Sequence, residues 1–416
     1  MQKSVKYSII SGTSAAPASK SVVQRAVAMA LLAEGTSSFG NVTLCDDSQA
    51  AINIARALGA EINLSGRNLT VKGGFQPRQT LLDCGESGLS SRMFAAIAAL
   101  SQQELILTGH SALCNRPADM IPGPLQKLGA DCESDNGHLP LKINGPLKGG
   151  RVKIDGSVSS QFLTGLLISL PVVAADSEIN VENLKSKPYI DLTIEILKKF
   201  GIHIEHQDYH RFFILGGQKY RPAEFKIEGD FSGAAFLLVA GALYGRIGVT
   251  GLNLNSCQAD RAILDLLKQS GAQIEFSSDE IRVANSDLRA FACDATHFPD
   301  LFPPLVALAA GCKGLSRITG AGRLLYKESD RAAVLKTEFG RLGIDIQIEG
   351  DTMLIPGSRI RGGLVEAHND HRIAMALTVA GLGADQPVTI DGAECVAKSY
   401  PEFFNDLKMV GGNIYE

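Results

Sequence analysis

"LGAEINLSGRNLTVKGG", residues 58–74, joins the glycine that ends a helix to two short alternating runs that predict a β-hairpin. Related segments begin at residues 128, 200, 270, 342 and 410, so the steps between them are 70, 72, 70, 72 and 68 residues. A segment that returns at a nearly fixed period indicates a chain built from repeats. The sequence therefore predicts six copies of one unit, with the sixth hairpin cut short at "VGGNIYE".

Each repeat contains two helices of different character. An amphipathic segment such as "DDSQAAINIARALGA" (46–60) precedes each hairpin and predicts a surface helix. An earlier segment such as "DFSGAAFLLVAGALYG" (230–245) is apolar nearly all round, which predicts a buried helix. A strand-like run such as "ELILTG" (104–109) lies between them. The unit is therefore strand, buried helix, strand, surface helix and hairpin, which is a mixed α/β (α+β) fold.

The buried helices all begin with a polar turn that contains Ser, Asp, Asn, Lys or His. A helix N-terminus carries unpaired N–H groups and the positive end of the helix dipole, so it attracts anions. We expect these helices to pack side by side with their N-termini at one face. Six such ends, in two groups, could collect anionic ligands without a positive net charge.

Composition excludes several classes of function. The formal net charge of −4 argues against a general nucleic-acid or membrane-surface binder. Eight cysteines without a C-x-x-C pair indicate neither a zinc knuckle nor a disulfide framework, and they favour a reducing compartment. The most apolar stretch, "SSQFLTGLLISLPVVAAD" (159–176), is too short and contains Pro171, so no membrane span is predicted. We therefore expect a cytoplasmic location.

The first and third buried helices start with cations, hydroxyls and an amide, which suit phosphate and hydroxyl groups. These side chains are Lys20, Ser21 and Arg25 in "ASKSVVQR" (18–25), and Ser159, Ser160 and Gln161 in "SVSSQF" (157–162). Serine is also a common helix N-cap, and lysine and arginine are commonly solvated. Each motif alone is open to both interpretations.

Charged groups also precede helices in the second half of the chain. In "NDHRIAMA" (369–376), Arg372 leads into an apolar helix and needs an acceptor, which favours an anionic ligand over a simple cap by Asp370. Asp300 lies at the start of the fifth buried helix. In "YKESDR" (326–331), the E-x-x-R spacing could instead be a helix-face ion pair. This motif contributes the candidates Lys327, Glu328 and Arg331. Arg116 and Lys398 are further candidates, and each of these two alone is more typical of a surface residue.

Three histidines lie in one predicted hairpin, a clustering that can indicate a metal site. In "HIEHQDYH" (203–210), alternation places Ile204 inward and His203 outward, so we interpret the histidines as solvated. The sequence predicts no metal site.

Six motifs taken together resemble those of the EPSP synthases, the 3-phosphoshikimate 1-carboxyvinyltransferases. They are "SKSVVQRA" (19–26), "DGSVSSQFLTGLL" (155–167), "SKPYIDLT" (186–193), "YKESDR" (326–331), "NDHRIAMA" (369–376) and "CVAKSYPEFF" (395–404). The resemblance implies six β-α-β-α-β-β repeats that form two pseudo-threefold domains with buried helices. One domain would comprise residues 14–228. The other would comprise residues 1–13 and 229–416, completed by "VKYSIIS" (5–11), with the active site in the cleft between the domains.

The resemblance also implies a reaction of the shikimate pathway, in which phosphoenolpyruvate gives its enolpyruvyl group to the 5-hydroxyl of shikimate 3-phosphate. It implies no cofactor, no metal and a monomer. Shikimate 3-phosphate would contact Lys20, Ser21, Arg25, Ser159, Ser160, Gln161, Ser186, Tyr189, Asp300 and Lys327. Phosphoenolpyruvate would contact Lys20, Gly88, Arg116, Gln161, Glu328, Arg331, Arg372 and Lys398. The proton transfers would be carried out by Asp300, Glu328 and Lys20.

One motif departs from the family pattern. In "GESGLSSR" (85–92), Glu86 and Leu89 stand where the family often has Asn and Thr, although Gly88 is kept. An acid and a leucine there alter the pocket that glyphosate occupies in the family, at the phosphoenolpyruvate position.

Two alternatives remain to be weighed. The UDP-N-acetylglucosamine enolpyruvyl transferases share the fold and use a loop cysteine, and Cys114 lies near Arg116. That family, however, places its cysteine further before the arginine, has Lys-Asn in place of Lys20-Ser21, and lacks "NDHR". A non-catalytic repeat scaffold is the second alternative, and the polar side chains at every buried-helix start argue against it.

The implied domain arrangement predicts closure on ligand. Arginines and helix N-termini from both domains repel one another when no anion is bound, and an anion draws them together. We expect saturating shikimate 3-phosphate to lower the radius of gyration in solution X-ray scattering. An unchanged scattering curve would argue against a mobile connection between the domains.

Overall fold

Six four-stranded sheets, one for each predicted repeat, organise the chain. The computed structural model describes residues 1–416. The chain follows strand, buried helix, strand, surface helix and hairpin throughout, which confirms the predicted mixed α/β fold and its period.

Twenty-four strands form these sheets. In chain order they are β1 (Gln2–Lys6), β2 (Ile10–Ala15), β3 (Thr36–Gly40), β4 (Glu61–Ser65), β5 (Asn68–Lys72), β6 (Leu81–Asp83), β7 (Leu105–Thr108), β8 (Asp131–Asp135), β9 (His138–Asn144), β10 (Gly150–Asp155), β11 (Ser177–Glu182), β12 (Glu205–Gln207), β13 (Arg211–Ile214), β14 (Glu224–Lys226), β15 (Gly245–Thr250), β16 (Gln273–Phe276), β17 (Glu280–Ala284), β18 (Ala292–Asp294), β19 (Leu315–Thr319), β20 (Gln347–Glu349), β21 (Thr352–Pro356), β22 (Gly363–Glu366), β23 (Val388–Asp391) and β24 (Asn413–Tyr415).

Twelve α-helices alternate between buried and surface positions. They are α1 (Lys20–Leu32), α2 (Asp46–Ala57), α3 (Gly88–Ala98), α4 (Pro122–Lys127), α5 (Gln161–Ser169), α6 (Lys187–Lys199), α7 (Phe231–Tyr244), α8 (Ile263–Gln269), α9 (Phe302–Gly311), α10 (Arg331–Arg341), α11 (His371–Gly381) and α12 (Phe403–Met409). Short 3-10 helices cover Ser111–Asn115, Leu170–Val172, Ala259–Ala262, Pro299–Leu301, Ala321–Leu324 and Ala393–Lys398. None of the helices combines the length and apolarity needed to cross a membrane.

The chain divides into two compact units. The N-terminal unit comprises Ala18–Ile227, and the C-terminal unit comprises Met1–Pro17 with Glu228–Glu416. Each unit contains three of the sheets and three of the buried helices. The segment "VKYSIIS" (5–11) is not one strand, because residues 7–9 separate β1 from β2.

Every sheet contains one parallel strand pair followed by two antiparallel pairings, and in five of the six sheets the last antiparallel pair is a hairpin. Three sheets borrow a strand from a distant part of the chain. β14 pairs in parallel with β3, and β2 pairs in parallel with β15. In the sixth repeat β1 pairs antiparallel with both β23 and β24, so it supplies the strand that the shortened hairpin lacks.

The buried helices are covered as their sequences predict. In α7, twelve of the fourteen residues are buried, and α9 and α11 pack against it in the C-terminal unit. In the N-terminal unit α3 packs against α5 and α1. Burying an apolar side chain contributes about 1.5–3 kcal/mol, so these helices supply much of the folding free energy of each unit.

The packing of α3 against α5 depends on Gly165. A Cβ atom at this position would lie 2.6 Å from the carbonyl oxygen of Met93 and 3.1 Å from the Cβ of Ala96. We expect Gly165→Ala to lower the free energy of unfolding by about 1–3 kcal/mol, because the two buried helices must separate. Urea denaturation measures this change.

Gly340 provides the matched control. It is exposed near the end of α10, and a Cβ atom there meets nothing within 4 Å. Gly340→Ala should raise the free energy of unfolding by about 0.4–1 kcal/mol through the helix preference of alanine. Equal effects of the two substitutions would contradict the close approach of α3 and α5.

Candidate active site

A lysine and an acid meet at the start of α1. Lys20 Nζ donates to Asp47 Oδ2 at 2.8 Å, and both side chains are nearly buried. Gln24, one turn further along α1, donates from Nε2 to Asp47 O at 2.9 Å and to Ser87 Oγ at 2.8 Å. Because Asp47 lies in the first turn of α2 and Ser87 caps α3, these hydrogen bonds hold the starts of three helices together.

Arg25 is a buried cation and not a solvated one. Its side chain is 1% exposed and donates from Nε to Thr193 Oγ1 at 2.9 Å and from Nη2 to Tyr189 O at 3.4 Å. Burial lowers the pKa of Arg25 to about 10. The guanidinium therefore stays charged at neutral pH and ties α1 to α6, the helix that follows Ser186.

Two guanidinium groups converge on Gly88 at the start of α3. A Cβ atom on this glycine would lie 2.6 Å from Arg116 Nη1 and 3.1 Å from Arg92 Nη1. Arg92 also donates to Gln161 Oε1 at 3.1 Å. Arg116 is 8% exposed, so its interpretation as a surface residue is wrong. A side chain at this position would therefore require the Arg116 guanidinium to shift from the helix N-terminus.

The serines at these helix starts are neutral and only partly used as caps. Ser159 Oγ accepts from the backbone N–H of Gln161 at 3.1 Å, whereas Ser160 makes no side-chain cap. Ser19 makes no cap either, and its hydroxyl is buried without a hydrogen-bond partner. No acidic cap therefore opposes the dipoles of α1, α3 and α5, which fits an anion-binding role.

Arg331 lies at the centre of the charged groups in the C-terminal unit. Its side chain is fully buried and donates from Nε to Asp370 Oδ2 at 2.7 Å and from Nη1 to Asp300 Oδ1 at 3.0 Å. Glu328 accepts a third hydrogen bond, from Nη2. Burial opposes the charge on Arg331, but Asp370, Glu328 and Asp300 together raise its pKa above the ordinary value.

Asp300 bridges three cations. Its Oδ1 accepts from Lys327 Nζ at 3.2 Å and from Arg331, and its Oδ2 accepts from Arg372 Nη2 at 3.1 Å. Burial alone raises the pKa of Asp300, but Arg372, Lys327 and Arg331 hold it well below its usual range. Burial also lowers the pKa of Lys327, against the opposing charge of Asp300. Asp300 is therefore ionised at neutral pH.

Two simpler interpretations of the sequence are wrong. Glu328 and Arg331 are not a pair on a helix face, because α10 begins at Arg331 and Glu328 precedes it. Lys398 is not a surface residue, because it is 7% exposed and donates from Nζ to Asn369 O at 2.6 Å. Asp370 does cap α11, by accepting from the backbone N–H of Arg372, but it also binds Arg331.

Two of the three hairpin histidines are solvated, as predicted, whereas His206 is half-buried and its ring centroid lies 4.6 Å from that of Tyr209. His203 and His210 are exposed, while Ile202 and Ile204 are buried. No group of three or more His, Cys, Asp or Glu side chains is arranged to hold a metal ion.

A family model described as EPSP synthase (3-phosphoshikimate 1-carboxyvinyltransferase) matches residues 6–407. The chain belongs to the EPSP synthase family. Relatives named 3-phosphoshikimate 1-carboxyvinyltransferase include that of Clostridium acetobutylicum, which is 41% identical over 96% of this chain and 95% of its own. That of Methanocorpusculum labreanum is 39% identical over the full length of both chains.

Solved structures agree with the family fold. An EPSP synthase from Acinetobacter baumannii is 27% identical and aligns over 100% of both chains with a TM-score of 0.84. An enolpyruvyl transferase from Streptomyces tendae, at 18% identity and a TM-score of 0.79, is similar in fold. The family fold therefore extends over the whole chain.

Several polar residues near the EPSP synthase motifs escaped the sequence analysis. Asp47 pairs with Lys20, and Arg92 contacts Gln161. Like Arg372, Arg92 leads into an apolar helix, so the pattern that identified Arg372 also applies to Arg92. Asp260 is 2% exposed and accepts from Ser232 Oγ, and burial together with the charge of Asp300 raises its pKa to about 7. No spacing pattern points to Asp260.

The residues that depart from the EPSP synthase pattern lie beside the start of α3. Leu89 is 7% exposed, whereas Glu86 is half-buried.

Cys114 Sγ donates to the backbone carbonyl of Gly109 at 3.1 Å, within the 3-10 turn before Arg116.

The buried pair between Arg331 and Asp370 predicts a large loss of stability when the carboxylate is neutralised. Asp370→Asn leaves Arg331 with Asp300 and Glu328 but removes the ionic partner of Nε. We expect a decrease of about 2–4 kcal/mol in the free energy of unfolding, measured by urea denaturation.

Asp330→Asn is the control, because Asp330 caps α10 as Asp370 caps α11 but is exposed. Asparagine is as good a cap as aspartate, so its effect should stay within about 0.5 kcal/mol. Similar losses in both variants would show that capping, and not the buried ion pair, accounts for the effect.

Proposed function

We propose that this protein transfers the enolpyruvyl group of phosphoenolpyruvate to the 5-hydroxyl of shikimate 3-phosphate and releases phosphate. The observation that carries the proposal is the match of residues 6–407 to the EPSP synthase family. Relatives around 40% identical along nearly their whole length bear the name of that activity. The charged and hydroxyl groups of both units suit two anionic substrates.

The N-terminal unit offers groups suited to the phosphate and hydroxyls of shikimate 3-phosphate. We propose that its contacts are Lys20, Ser21, Arg25, Ser159, Ser160, Gln161, Ser186 and Tyr189, together with Asp300 and Lys327 of the C-terminal unit. The neutral serines and uncapped helix N-termini support this assignment, because they supply hydrogen-bond donors and positive dipole ends.

Phosphoenolpyruvate carries a carboxylate and a phosphate, and both bind well to guanidinium groups. We propose that its contacts are Lys20, Gly88, Arg116, Gln161, Glu328, Arg331, Arg372 and Lys398. Arg331 and Arg372 are each fixed by carboxylates, so they need little reorganisation to receive a substrate.

The reaction consists of an addition and an elimination. The 5-oxygen bonds to C2 of phosphoenolpyruvate while C3 gains a proton, which gives a tetrahedral intermediate. C3 then loses a proton, the bond from C2 to the phosphate oxygen breaks, and the double bond re-forms. We propose that Asp300 accepts the hydroxyl proton and that Glu328 and Lys20 handle the proton at C3. The cations stabilise the departing phosphate.

The environment of Asp300 suits a base that works only with substrate present. Its pKa is held down by Arg372, Lys327 and Arg331, so it is ionised but a weak base. The negative charge of a bound substrate partly offsets these cations and raises the proton affinity of Asp300. The carboxylate therefore becomes a stronger base when the substrates are bound.

The cytoplasmic location, the monomeric state and the location of the active site between two domains stay predictions. The eight free cysteines support a reducing compartment.

A phosphate-release assay tests the proposed function. We expect release that requires both shikimate 3-phosphate and phosphoenolpyruvate, and none when UDP-N-acetylglucosamine replaces shikimate 3-phosphate. Cys114→Ser should keep the turnover, because a thiol bonded to a backbone carbonyl has no part in the proposed chemistry. Release with UDP-N-acetylglucosamine, or a collapse in Cys114→Ser, would contradict the proposed activity and support enolpyruvyl transfer to UDP-N-acetylglucosamine.

Asp300→Asn should separate binding from chemistry. The amide keeps the size and can still bind a hydroxyl, but it cannot take up a proton, so turnover should fall by about 10²- to 10⁴-fold. Calorimetry should give a dissociation constant for shikimate 3-phosphate within a few-fold of the parent. Asp287→Asn, at an exposed ion pair with Lys313, is the control and should leave both values unchanged. Near-normal turnover in Asp300→Asn would indicate that Glu328 or Lys20, and not Asp300, is the general base.

A further inference from the structure

Two consecutive residues in the turn before α11 have left-handed backbone conformations. His368 has a φ of 50° and Asn369 a φ of 54°, and neither is glycine. Such conformations are uncommon for residues other than glycine, although histidine and asparagine adopt them more readily than most. The next residue, Asp370, caps α11 and binds Arg331. The geometry of this turn therefore determines where the Asp370 carboxylate lies in the candidate active site.

A buried carboxylate outside the proposed substrate contacts holds one side of the turn. Glu338 in α10 has no exposed surface. Its Oε2 accepts from the backbone N–H of Glu366 at 3.0 Å, and its Oε1 lies 2.8 Å from His368 Nε2. Arg341 also donates to Oε2, but that guanidinium is half exposed. A charged group is buried here because it has specific partners on the turn.

The other side of the turn is held by a proposed substrate contact. Lys398 Nζ donates to Asn369 O at 2.6 Å. α10 therefore touches the turn at two points, since Arg331 in its first turn binds Asp370 and Glu338 binds His368 two turns later. Two contacts separated by about 10 Å along a rigid helix fix both the position and the direction of the turn.

We propose that Glu338, acting through His368, is a positioning residue that fixes Asp370 and Lys398 for binding phosphoenolpyruvate. Glu338 holds the turn, the turn presents Asp370 to Arg331 and Asn369 O to Lys398, and these cations receive the substrate anion. This inference rests on the proposed function. It assigns a role to two residues that lie outside the set proposed to touch substrate.

The contacts made by the turn determine which of the two substrates should bind more weakly. Arg331 and Lys398 belong to the proposed contacts of phosphoenolpyruvate, whereas most proposed contacts of shikimate 3-phosphate lie on other elements. Loss of the pair between Glu338 and His368 should therefore weaken phosphoenolpyruvate selectively. A purely structural role would change the affinity for both substrates together with thermal stability, or neither.

The test compares four variants with the parent in the phosphate-release assay. Glu338→Ala removes the support, and Glu338→Gln keeps two hydrogen-bonding atoms of the same shape without the charge. His368→Asn keeps a residue that tolerates the left-handed conformation but is too short to reach Glu338. Arg341→Ala removes only the half-exposed partner of Glu338. His368→Asn, at a partly exposed site, keeps the test decisive if Glu338→Ala does not fold.

We expect Glu338→Ala and His368→Asn to lower kcat/KM for phosphoenolpyruvate by about 10- to 100-fold. The dissociation constant of shikimate 3-phosphate should change by less than about twofold, Glu338→Gln should recover most of the loss, and Arg341→Ala should match the parent. Parental kinetics in His368→Asn, or equal losses for both substrates, would overturn the positioning role. A parent that releases no phosphate would instead overturn the proposed function, so the two failures are distinguishable.

Discussion

Each buried helix must hide apolar side chains on every side while its first turn needs polar partners. This conflict can be resolved only if each helix is surrounded along its length and open at its N-terminus. The repeated sheets and surface helices supply the surroundings, as around α7, α9 and α11. The open ends become the places where cations, hydroxyls and carboxylates collect, so the candidate site follows from the way the core is covered.

The two units cap their buried helices with different residue types. In the N-terminal unit the N-cap residues of α1, α3 and α5 are neutral serines, and the positive ends of the dipoles remain available. In the C-terminal unit Asp230 and Asp370 cap α7 and α11, and positive charge comes instead from side chains such as Arg331 and Arg372. A protein with a net charge of −4 therefore still has local groups of positive charge, each of them paired or buried.

Periodicity in the sequence was sufficient to predict the repeat, both helix types and the hairpins, because the spacing of apolar residues directly reflects which face is covered. The side-chain contacts between distant parts of the chain were harder to predict. Lys20 and Asp47 are 27 residues apart, and Glu338 and His368 are 30 apart, and no local pattern relates them. The burial of Arg25 also could not be read from its helix, since Thr193 and Tyr189 come from a different repeat. Periodicity identifies the faces of an element but not the element that covers each face.

The strands that pair with distant parts of the chain delay the folding of the C-terminal unit during synthesis. β1 and β2 leave the ribosome first, yet Ser4 pairs with Tyr415 and Ile10 with Gly245. The N-terminal unit is complete once Ile227 has emerged, whereas β24 ends at Tyr415, 188 residues later (415 − 227). At about 5–20 residues per second, that interval is roughly 10–40 s. During it, one unit can already be folded while β1 waits with unpaired edges for its partners, and such edges are the kind of surface that chaperones protect.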